Sequence, residues 1–226
     1  MRRLQERGAV VLERELGRGF YGVVFRGQWG GRGVAVKALT TAADATQQQA
    51  FLGEAERLFS LQHAHIVAAL GLVRHPEPLL VLELLPLGAL DDYLRERRDA
   101  IAVDSLVSFA LQTARALAFL ESHAVVHRDV AARNVLVADE RTVKLSDFGL
   151  ARASGYVHSP RAMLPLLWYP PEAAAAGYRY TAKHDVWSWA GTHNQSIYKH
   201  KKQQFSWLFF LSFFLSFFLS FFFFFF

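Results

Sequence analysis

Cysteine is absent from this chain of 226 residues, so neither a disulfide framework nor a cysteine-bound structural zinc can contribute to its stability. A strong excess of positive charge is absent as well. The formal net charge is +5, and residues 191–226 carry three lysines and no acidic residue. The net positive charge that remains for residues 1–190 is too small to predict nucleic-acid binding. The first seven residues lack the apolar run of a signal peptide, which favours a cytoplasmic location.

The most informative segment is residues 127–134, which read His-Arg-Asp-Val-Ala-Ala-Arg-Asn. The carboxylate of Asp129 and the amide oxygen of Asn134 stand five positions apart. A loop of this kind can offer an acceptor for the proton of a substrate hydroxyl and, close by, an oxygen ligand for magnesium. A chance match on a surface turn would be the preferred interpretation if this segment stood alone.

A glycine-rich segment near the N-terminus predicts a strand, a turn and a second strand. Residues 17–22 read Gly-Arg-Gly-Phe-Tyr-Gly and lie between two apolar stretches. Glycines at these spacings let backbone N–H groups approach phosphate oxygens without a Cβ in the way. Such turns are also common structural punctuation, so this signal is weak by itself. The alternating run that follows ends in Lys37, a cation suited to a nucleotide phosphate.

A helix is predicted from Thr46 to Leu61, and its periodicity selects a carboxylate partner for Lys37. Glu54 lies at the edge of the apolar face of this helix, whereas Glu56 points away from it. Glu54 is therefore the candidate for an ion pair with Lys37. The alternative is that Glu54 is a solvated residue at the flank of an ordinary amphipathic helix.

Three later motifs follow in order. Residues 143–152 begin with an apolar strand, which leads into Asp147-Phe-Gly. Residues 165–172 are rich in proline and aromatic side chains, and Asp185 begins an apolar helix. Together with the glycine-rich turn, Lys37 and the 127–134 loop, these motifs resemble a protein kinase of the tyrosine-directed branch over about residues 10 to 189. The resemblance implies an α+β, two-lobed fold with a β-rich N-lobe and a helical C-lobe.

The resemblance also implies the chemical roles. ATP with Mg²⁺ would donate its γ-phosphoryl group to a tyrosine hydroxyl of a protein substrate, with Asp129 as the proton acceptor and Arg133 near the transferred phosphate. Lys37, paired with Glu54, would hold the phosphates, and Asn134 and Asp147 would bind the metal. The implied nucleotide site consists of Leu16, Gly17, Gly19, Gly22, Val24, Ala35, Lys37, Glu83, Leu85, Asn134 and Asp147.

Tyrosine specificity rests on Ala131 and Arg133, because serine/threonine kinases usually carry a lysine two places after the catalytic Asp. Leu167 departs from the family, which usually has a basic residue there. Further along the chain, Leu82 is placed at the gatekeeper position beside the adenine site, and Asp104 is expected to cap a long helix over residues 105–123. Tyr156 is expected to be the phosphorylation site of the activation segment, paired with Arg128.

The resemblance stops near residue 190, and the helices that complete a C-lobe do not follow. We therefore expect a truncated kinase domain over residues 1–190, a basic polar linker over 191–204 and a Phe/Leu/Ser tail over 205–226. Twenty uncharged residues from Trp207 could span a hydrocarbon core as a helix, with lysines on the cytoplasmic side. A tail-anchored transmembrane helix and an aggregation-prone segment without a role both fit this composition.

Two function classes follow. The first is an active protein tyrosine kinase, favoured by the complete set of catalytic motifs. The second is an inactive nucleotide-binding or scaffold protein, whose sequence support is the incomplete C-lobe. A small-molecule phosphotransferase is disfavoured by Ala131, Arg133 and the 165–172 segment.

Overall fold

The computed structural model describes residues 9–19, 22–39, 44–74, 77–97, 100–157, 169–175 and 177–200, with the backbone alone for 193–200. The α+β architecture expected from the motifs is present, with strands first and helices later. The strands are β1 (Val11–Gly19), β2 (Gly22–Trp29), β3 (Arg32–Ala38), β4 (Ala69–Val73), β5 (Leu79–Glu83), β6 (Val125–Val126), β7 (Val135–Asp139), β8 (Thr142–Leu145) and β9 (Arg152–Ala153). The helices are α1 (Ala45–Ser60), α2 (Leu90–Glu96), α3 (Val103–Ser122) and α4 (Ala182–His200).

Five strands form one antiparallel sheet in the order β1-β2-β3-β5-β4. Side chains alternate between its two faces because successive residues of a strand point to opposite sides. Val34, Val36 and Val81 form a small buried core on one face. The register places Lys37 opposite both Val24 and Leu80, so that these residues share the other face. This second face looks toward α1 and the helical part.

Helix α1 begins with a capping box. Asp44 is the N-cap, its side chain accepts a hydrogen bond from the backbone N–H of Gln47, and the Gln47 side chain accepts from the backbone N–H of Asp44. The helix therefore starts one residue before the predicted boundary. Phe51, Ala55 and Leu58 bury the apolar face of α1 in the main core.

The main core joins the sheet to the helices. Leu80 from β5, Phe51 from α1, Phe109 from α3 and Leu145 from β8 all belong to one buried cluster. Backbone hydrogen bonds run from Val67 N–H to the carbonyl of Leu145 and from Leu145 N–H to the carbonyl of His65. The segment before β4 is thereby tied to β8, close to the predicted metal ligand Asp147.

Helix α3 begins at Val103, and its N-cap is Ala102. The prediction that Asp104 caps this helix is wrong, because Asp104 lies within the first turn. An acidic residue is favourable in either place, so its type does not define the first helical residue. Among the described helices, α3 alone is long and apolar enough to cross a membrane, but half of that stretch is buried, as in a core helix of a soluble protein.

Helix α4 continues through residues 191–200, the first part of the expected linker. A side chain on this extension contacts the rest of the protein, since Thr192 is 1% exposed and its hydroxyl donates to the carbonyl of Val130. The polar sequence of this stretch does not prevent a helix, because helical hydrogen bonds are formed within the backbone. The predicted tail, residues 205–226, lies outside the described residues.

Candidate active site

A buried cation links the sheet to α1 and to the segment after β8. Nζ of Lys37 donates hydrogen bonds to both carboxylate oxygens of Glu54, at 2.7 and 2.9 Å, and to Oδ1 of Asp147, at 3.0 Å. Lys37 is 6% exposed and Glu54 is 1% exposed. The structure thus brings together three predicted site residues from distant parts of the chain, and it places Glu54 rather than Glu56 at the lysine.

Mutual electrostatics favour the charged forms of Lys37 and Asp147 in this cluster. Burial would lower the pKa of Lys37, but the carboxylates of Asp147 and Glu54 outweigh burial and raise it. Burial would raise the pKa of Asp147, but the nearby Lys37 ammonium lowers it. For Glu54, burial raises the pKa even against the attraction of Lys37. The side chain of Asp147 remains 40% exposed, so a charged oxygen faces the open side of the cluster.

The backbone of Asp147 has a left-handed conformation, with φ of 58°. Its carboxylate accepts a hydrogen bond from Gly149 N–H at 3.4 Å, and a 3-10 turn runs over Phe148–Leu150. This turn contacts α1, and Phe148 lies in the same buried cluster as Leu58. Packing of Phe148 beneath α1 therefore fixes the direction of Asp147.

The predicted catalytic loop folds onto its own aspartate. Asn134 Nδ2 donates to the backbone carbonyl of Asp129 and to Asp129 Oδ2, both at 2.8 Å, and Arg133 forms an ion pair with Asp129 Oδ1. The side chain of Asp129 is 13% exposed. A carboxylate has about four lone-pair sites, so Asp129 can still accept a hydroxyl proton in this arrangement.

Asp185 holds this loop from below. Its two carboxylate oxygens accept from the backbone N–H groups of His127 at 2.6 Å and of Arg128 at 2.8 Å. Burial raises the pKa of Asp185, although the two N–H donors act in the opposite direction. His127 is fully buried and packs edge-on against Phe148 with ring centroids 4.7 Å apart. Asp185 thus braces the backbone of the loop, and His127 packs beneath it.

The donor set suits a hard cation. Asp147 supplies carboxylate oxygen, and Asn134 uses its amide nitrogen on Asp129, which leaves its amide oxygen without a hydrogen bond to any described residue. Magnesium prefers oxygen ligands of these kinds and usually takes only one or two protein carboxylates. The residues present therefore fit Mg²⁺.

The remaining predicted nucleotide residues lie along the sheet. Ala35 pairs with Leu82 on the Lys37 face, and Leu16, on β1, is 41% exposed. The Glu83 carboxylate points elsewhere, since it accepts from Lys144 Nζ at 2.7 and 2.9 Å and from Ala68 N–H at 2.7 Å. The backbone N–H of Glu83 is also engaged, since it donates to the carbonyl of Ala68 at 3.0 Å. Leu85 follows in the partly buried connection to α2.

The three predicted phosphate-loop glycines differ in their surroundings. A Cβ on Gly22 would lie 2.2 Å from the carbonyl oxygen of Ala38, so only glycine fits there. A Cβ on Gly17 would meet nothing within 4 Å. Gly19 pairs with Gly22 at the end of β1. Gly22 is therefore required by the sheet itself, whereas the open space around Gly17 is consistent with approach of a ligand.

Tyr180 and His184 extend the site beyond the sequence motifs. Arg128 lies over the rings of Tyr156 and Tyr180, 5.0 and 4.1 Å from their centroids. His184, fully buried, packs against Tyr169 at 4.3 Å between ring centroids. No sequence pattern had singled out His184, because it is a single histidine beside an aspartate. Of the proline- and aromatic-rich segment 165–172, residues 165–168 lie outside the described part of the chain.

A lysine paired with a helical glutamate, an aspartate that follows a strand and suits a metal ion, and a braced loop with Asp and Asn define the class of phosphotransferases to which protein kinases belong. The chain matches the family model for protein tyrosine and serine/threonine kinases over residues 10–204, and it belongs to that family. The match extends past residue 190, where the motifs alone had ended.

The curated relatives carry tyrosine-kinase names. The chain is 39% identical over 187 residues to tyrosine-protein kinase SRK2 of Spongilla lacustris, covering 80% of this chain and 51% of the relative. It is 42% identical over 193 residues to tyrosine-protein kinase Srms of Mus musculus, covering 80% and 37%, and 39% identical over 180 residues to the megakaryocyte-associated tyrosine-protein kinase of Rattus norvegicus, covering 79% and 38%. The chain thus spans about half or less of the length of these relatives.

Proposed function

We propose that the chain is a protein tyrosine kinase that transfers the γ-phosphoryl group of ATP to a tyrosine hydroxyl of a protein substrate. The observation that carries the proposal is the contact of Lys37 Nζ with both Glu54 and Asp147. This contact joins the sheet, α1 and the metal-binding turn in one arrangement, in which a nucleotide phosphate and a divalent cation can be held together. The tyrosine-kinase names of the relatives support the same activity.

In this reaction the tyrosine oxygen attacks the γ-phosphorus, the bond from that phosphorus to the β-bridging oxygen breaks, and ADP leaves. Asp129 orients the tyrosine hydroxyl and accepts its proton. Lys37 holds phosphate oxygens, and Arg133 stabilises negative charge near the transferred group. Mg²⁺, held by Asn134 and Asp147, would neutralise charge on the β- and γ-phosphates.

Tyr156 fits the role of a phosphorylation site in this scheme. Its side chain is 36% exposed, and the Arg128 guanidinium already lies against its ring. A phosphate group with a charge near −2 can form strong hydrogen bonds with an arginine. We propose that phosphorylation of Tyr156 orders the segment that follows β9.

The inactive scaffold is not favoured, because Lys37, Glu54, Asp129, Asn134 and Asp147 are all present and lie in mutually supporting contacts. A membrane contact through residues 205–226 is a separate proposal that has sequence support alone. Flotation of the full chain with liposomes, against a chain ending at His200, tests it. Equal flotation of the two would exclude the tail as an anchor.

Activity is tested with Lys37→Met and Asp129→Asn, and with Lys183→Met, at an exposed lysine, as the matched control. Mg-ATP titration and phosphotyrosine formation on tyrosine peptides are measured for each. Lys37→Met should weaken ATP binding, whereas Asp129→Asn should keep it and lose about 10²- to 10⁴-fold in turnover. Equal ATP affinity of wild type and Lys37→Met would disprove the role of Lys37, and phosphorylation of serine peptides alone would disprove tyrosine specificity.

A further inference from the structure

His184 lies beside a small buried cluster that shares no member with the main core. This cluster consists of Val126, Tyr169, Ala173 and Tyr180, with Tyr178 packed against it. The ring of His184 meets three of these side chains, with centroid distances of 4.3 Å to Tyr169, 4.9 Å to Tyr180 and 6.1 Å to Tyr178. All three tyrosines belong to residues 169–175 and 177–180, which we call the tyrosine segment. His184 thus joins helix α4 to the tyrosine segment.

The imidazole of His184 is enclosed without a polar partner. It is fully buried, and neither ring nitrogen has a hydrogen-bond partner among the described residues. The tyrosine segment presents three aromatic rings to it, and the charge that acts on it from the 127–134 loop is the cation of Arg128. On its own helix, Lys183 is exposed and the carboxylate oxygens of Asp185 accept from the loop backbone. A protonated ring would therefore find another cation close by and, in the described part of the chain, no hydrogen-bond acceptor.

The tyrosine segment adjoins the loop that carries the proposed proton acceptor. Arg128, the residue before Asp129, lies over the ring of Tyr180 at 4.1 Å. Burial raises the pKa of Tyr169, and the charge of Asp129 acts in the same direction, so this phenol lies within electrostatic reach of that carboxylate. The backbone N–H of Tyr180 donates to the carbonyl of Tyr156 at 3.0 Å. Displacement of the tyrosine segment would remove packing from the loop and also release Tyr156.

Acid favours such a displacement. Burial lowers the pKa of His184 to about 4, and the charge of Arg128 acts in the same direction. If the tyrosine segment moves away, the ring meets water and its pKa returns to about 6.5. The displaced form therefore binds more protons than the closed form below about pH 6.5, and its share of the population grows as the pH falls.

We propose that His184 is a proton-operated latch, which holds the tyrosine segment against the loop of Asp129 in its neutral form and releases the segment when protonated, while the main core stays folded. Linkage gives the size of the effect. The equilibrium constant for opening rises about fourfold from pH 7.5 to pH 6 and about 30-fold from pH 7.5 to pH 5. The consequence for catalysis rests on the proposed function, because the latch acts on the loop of the same site.

The first test is amide hydrogen exchange of the full chain at pH 7.5 and pH 5, with each rate divided by the intrinsic rate at that pH. The variants are His184→Phe, which keeps a ring, and His184→Ala, which shows that the result does not depend on how phenylalanine fits. His123→Gln, at an exposed histidine, is the control. Between the two pH values, protection of the tyrosine segment should fall about 30-fold further in wild type and His123→Gln than in the two His184 variants.

The exchange data also separate a local latch from unfolding of the whole domain. At both pH values the tyrosine segment should be less protected than α3 in the main core, because it opens without global unfolding. Equal protection of the tyrosine segment and α3 would overturn the proposal. An equal loss of protection in wild type and His184→Phe would overturn it as well.

The second test compares Mg-ATP binding and phosphotyrosine formation at pH 7.5, 6 and 5. Wild type and His184→Phe should bind Mg-ATP equally at each pH, since Lys37 lies outside the tyrosine segment. Relative to its value at pH 7.5, turnover of wild type should fall further than that of His184→Phe, by up to about 30-fold at pH 5. Loss of Mg-ATP binding in wild type alone, or identical pH profiles of turnover, would contradict the latch. Failure of every form to bind Mg-ATP at pH 7.5 would instead contradict the proposed function, and the exchange experiment would still decide the latch.

Discussion

His184 should make the protein sensitive to mild acid. Its side chain is fully buried, and neither ring nitrogen has a hydrogen-bond partner among the described residues. Burial lowers the pKa of His184 to about 4, and the charge of Arg128 acts in the same direction. In an unfolded chain the pKa of this histidine would return to about 6.5. Between these two values the unfolded state binds more protons than the folded state, so the free energy of unfolding falls as the pH falls.

The magnitude follows from linkage. With pKa values of about 4 folded and about 6.5 unfolded, His184 alone removes about 2 kcal/mol of stability between pH 7.5 and pH 5. This is a large fraction of the 5 to 15 kcal/mol typical of a domain. The loss begins below about pH 7 and is complete only below about pH 4.

The assay is urea unfolding, followed by tryptophan fluorescence at pH 7.5, 6 and 5, for wild type and His184→Phe. Phenylalanine keeps an aromatic ring against Tyr169 and cannot titrate. The free energy of unfolding of the variant should therefore fall by about 2 kcal/mol less than that of wild type over this pH range. His123→Gln, which removes an exposed histidine, is the control and should follow wild type. Parallel losses for wild type and His184→Phe would refute the reasoning, whatever the absolute stability of the variant.

Two further predictions concern the backbone around the site. Asp185→Asn should destabilise the protein by about 3 kcal/mol, because an amide offers one acceptor oxygen where the carboxylate serves two buried N–H groups. The measurement is urea unfolding at pH 7.5, and an unchanged midpoint would contradict this prediction. Gly22→Ala should lower the thermal midpoint by several degrees because its Cβ would meet the Ala38 carbonyl at 2.2 Å, whereas Gly17→Ala should melt like wild type and weaken only nucleotide binding. Equal melting of the two glycine variants would contradict the structural difference between them.

The catalytic arrangement was predictable where the chemistry of a residue and its place in an ordered set of motifs agree. Periodicity placed Glu54 on the buried side of α1, and the structure pairs it with Lys37. The order of the motifs identified Asp129, Asn134 and Asp147 as site residues. In the structure Asn134 donates a hydrogen bond to Asp129, and Asp147 accepts one from Lys37. Their roles in transfer stay predictions until activity is measured.

The supporting contacts were not predictable, because they join side chains far apart in the sequence. Glu83 binds Lys144 across 61 positions, and neither neighbourhood indicates the other. Arg57 lies at the edge of an amphipathic helix, where a charged residue is ordinarily solvated, yet part of its guanidinium is buried. The predicted start of α3 was wrong for a different reason. An acidic residue near the start of a helix is favourable both as a cap and in the first turn.

The contacts of α4 show why the catalytic motif by itself does not determine the geometry of the site. Asp185 holds two backbone N–H groups of the loop, Thr192 donates to the carbonyl of Val130 two turns further along, and between them Trp189 donates to Ala110 on α3. One face of a single helix thus positions the loop that carries Asp129. Trp187 on the same helix is 51% exposed, so the outer face of α4 leaves apolar area in water. Burying that face would stabilise α4 by about 25 cal/mol per Å² of apolar surface covered. The loop is hydrogen-bonded to the inner face of α4. Any polypeptide that packs on the outer face would therefore also stabilise the position of Asp129.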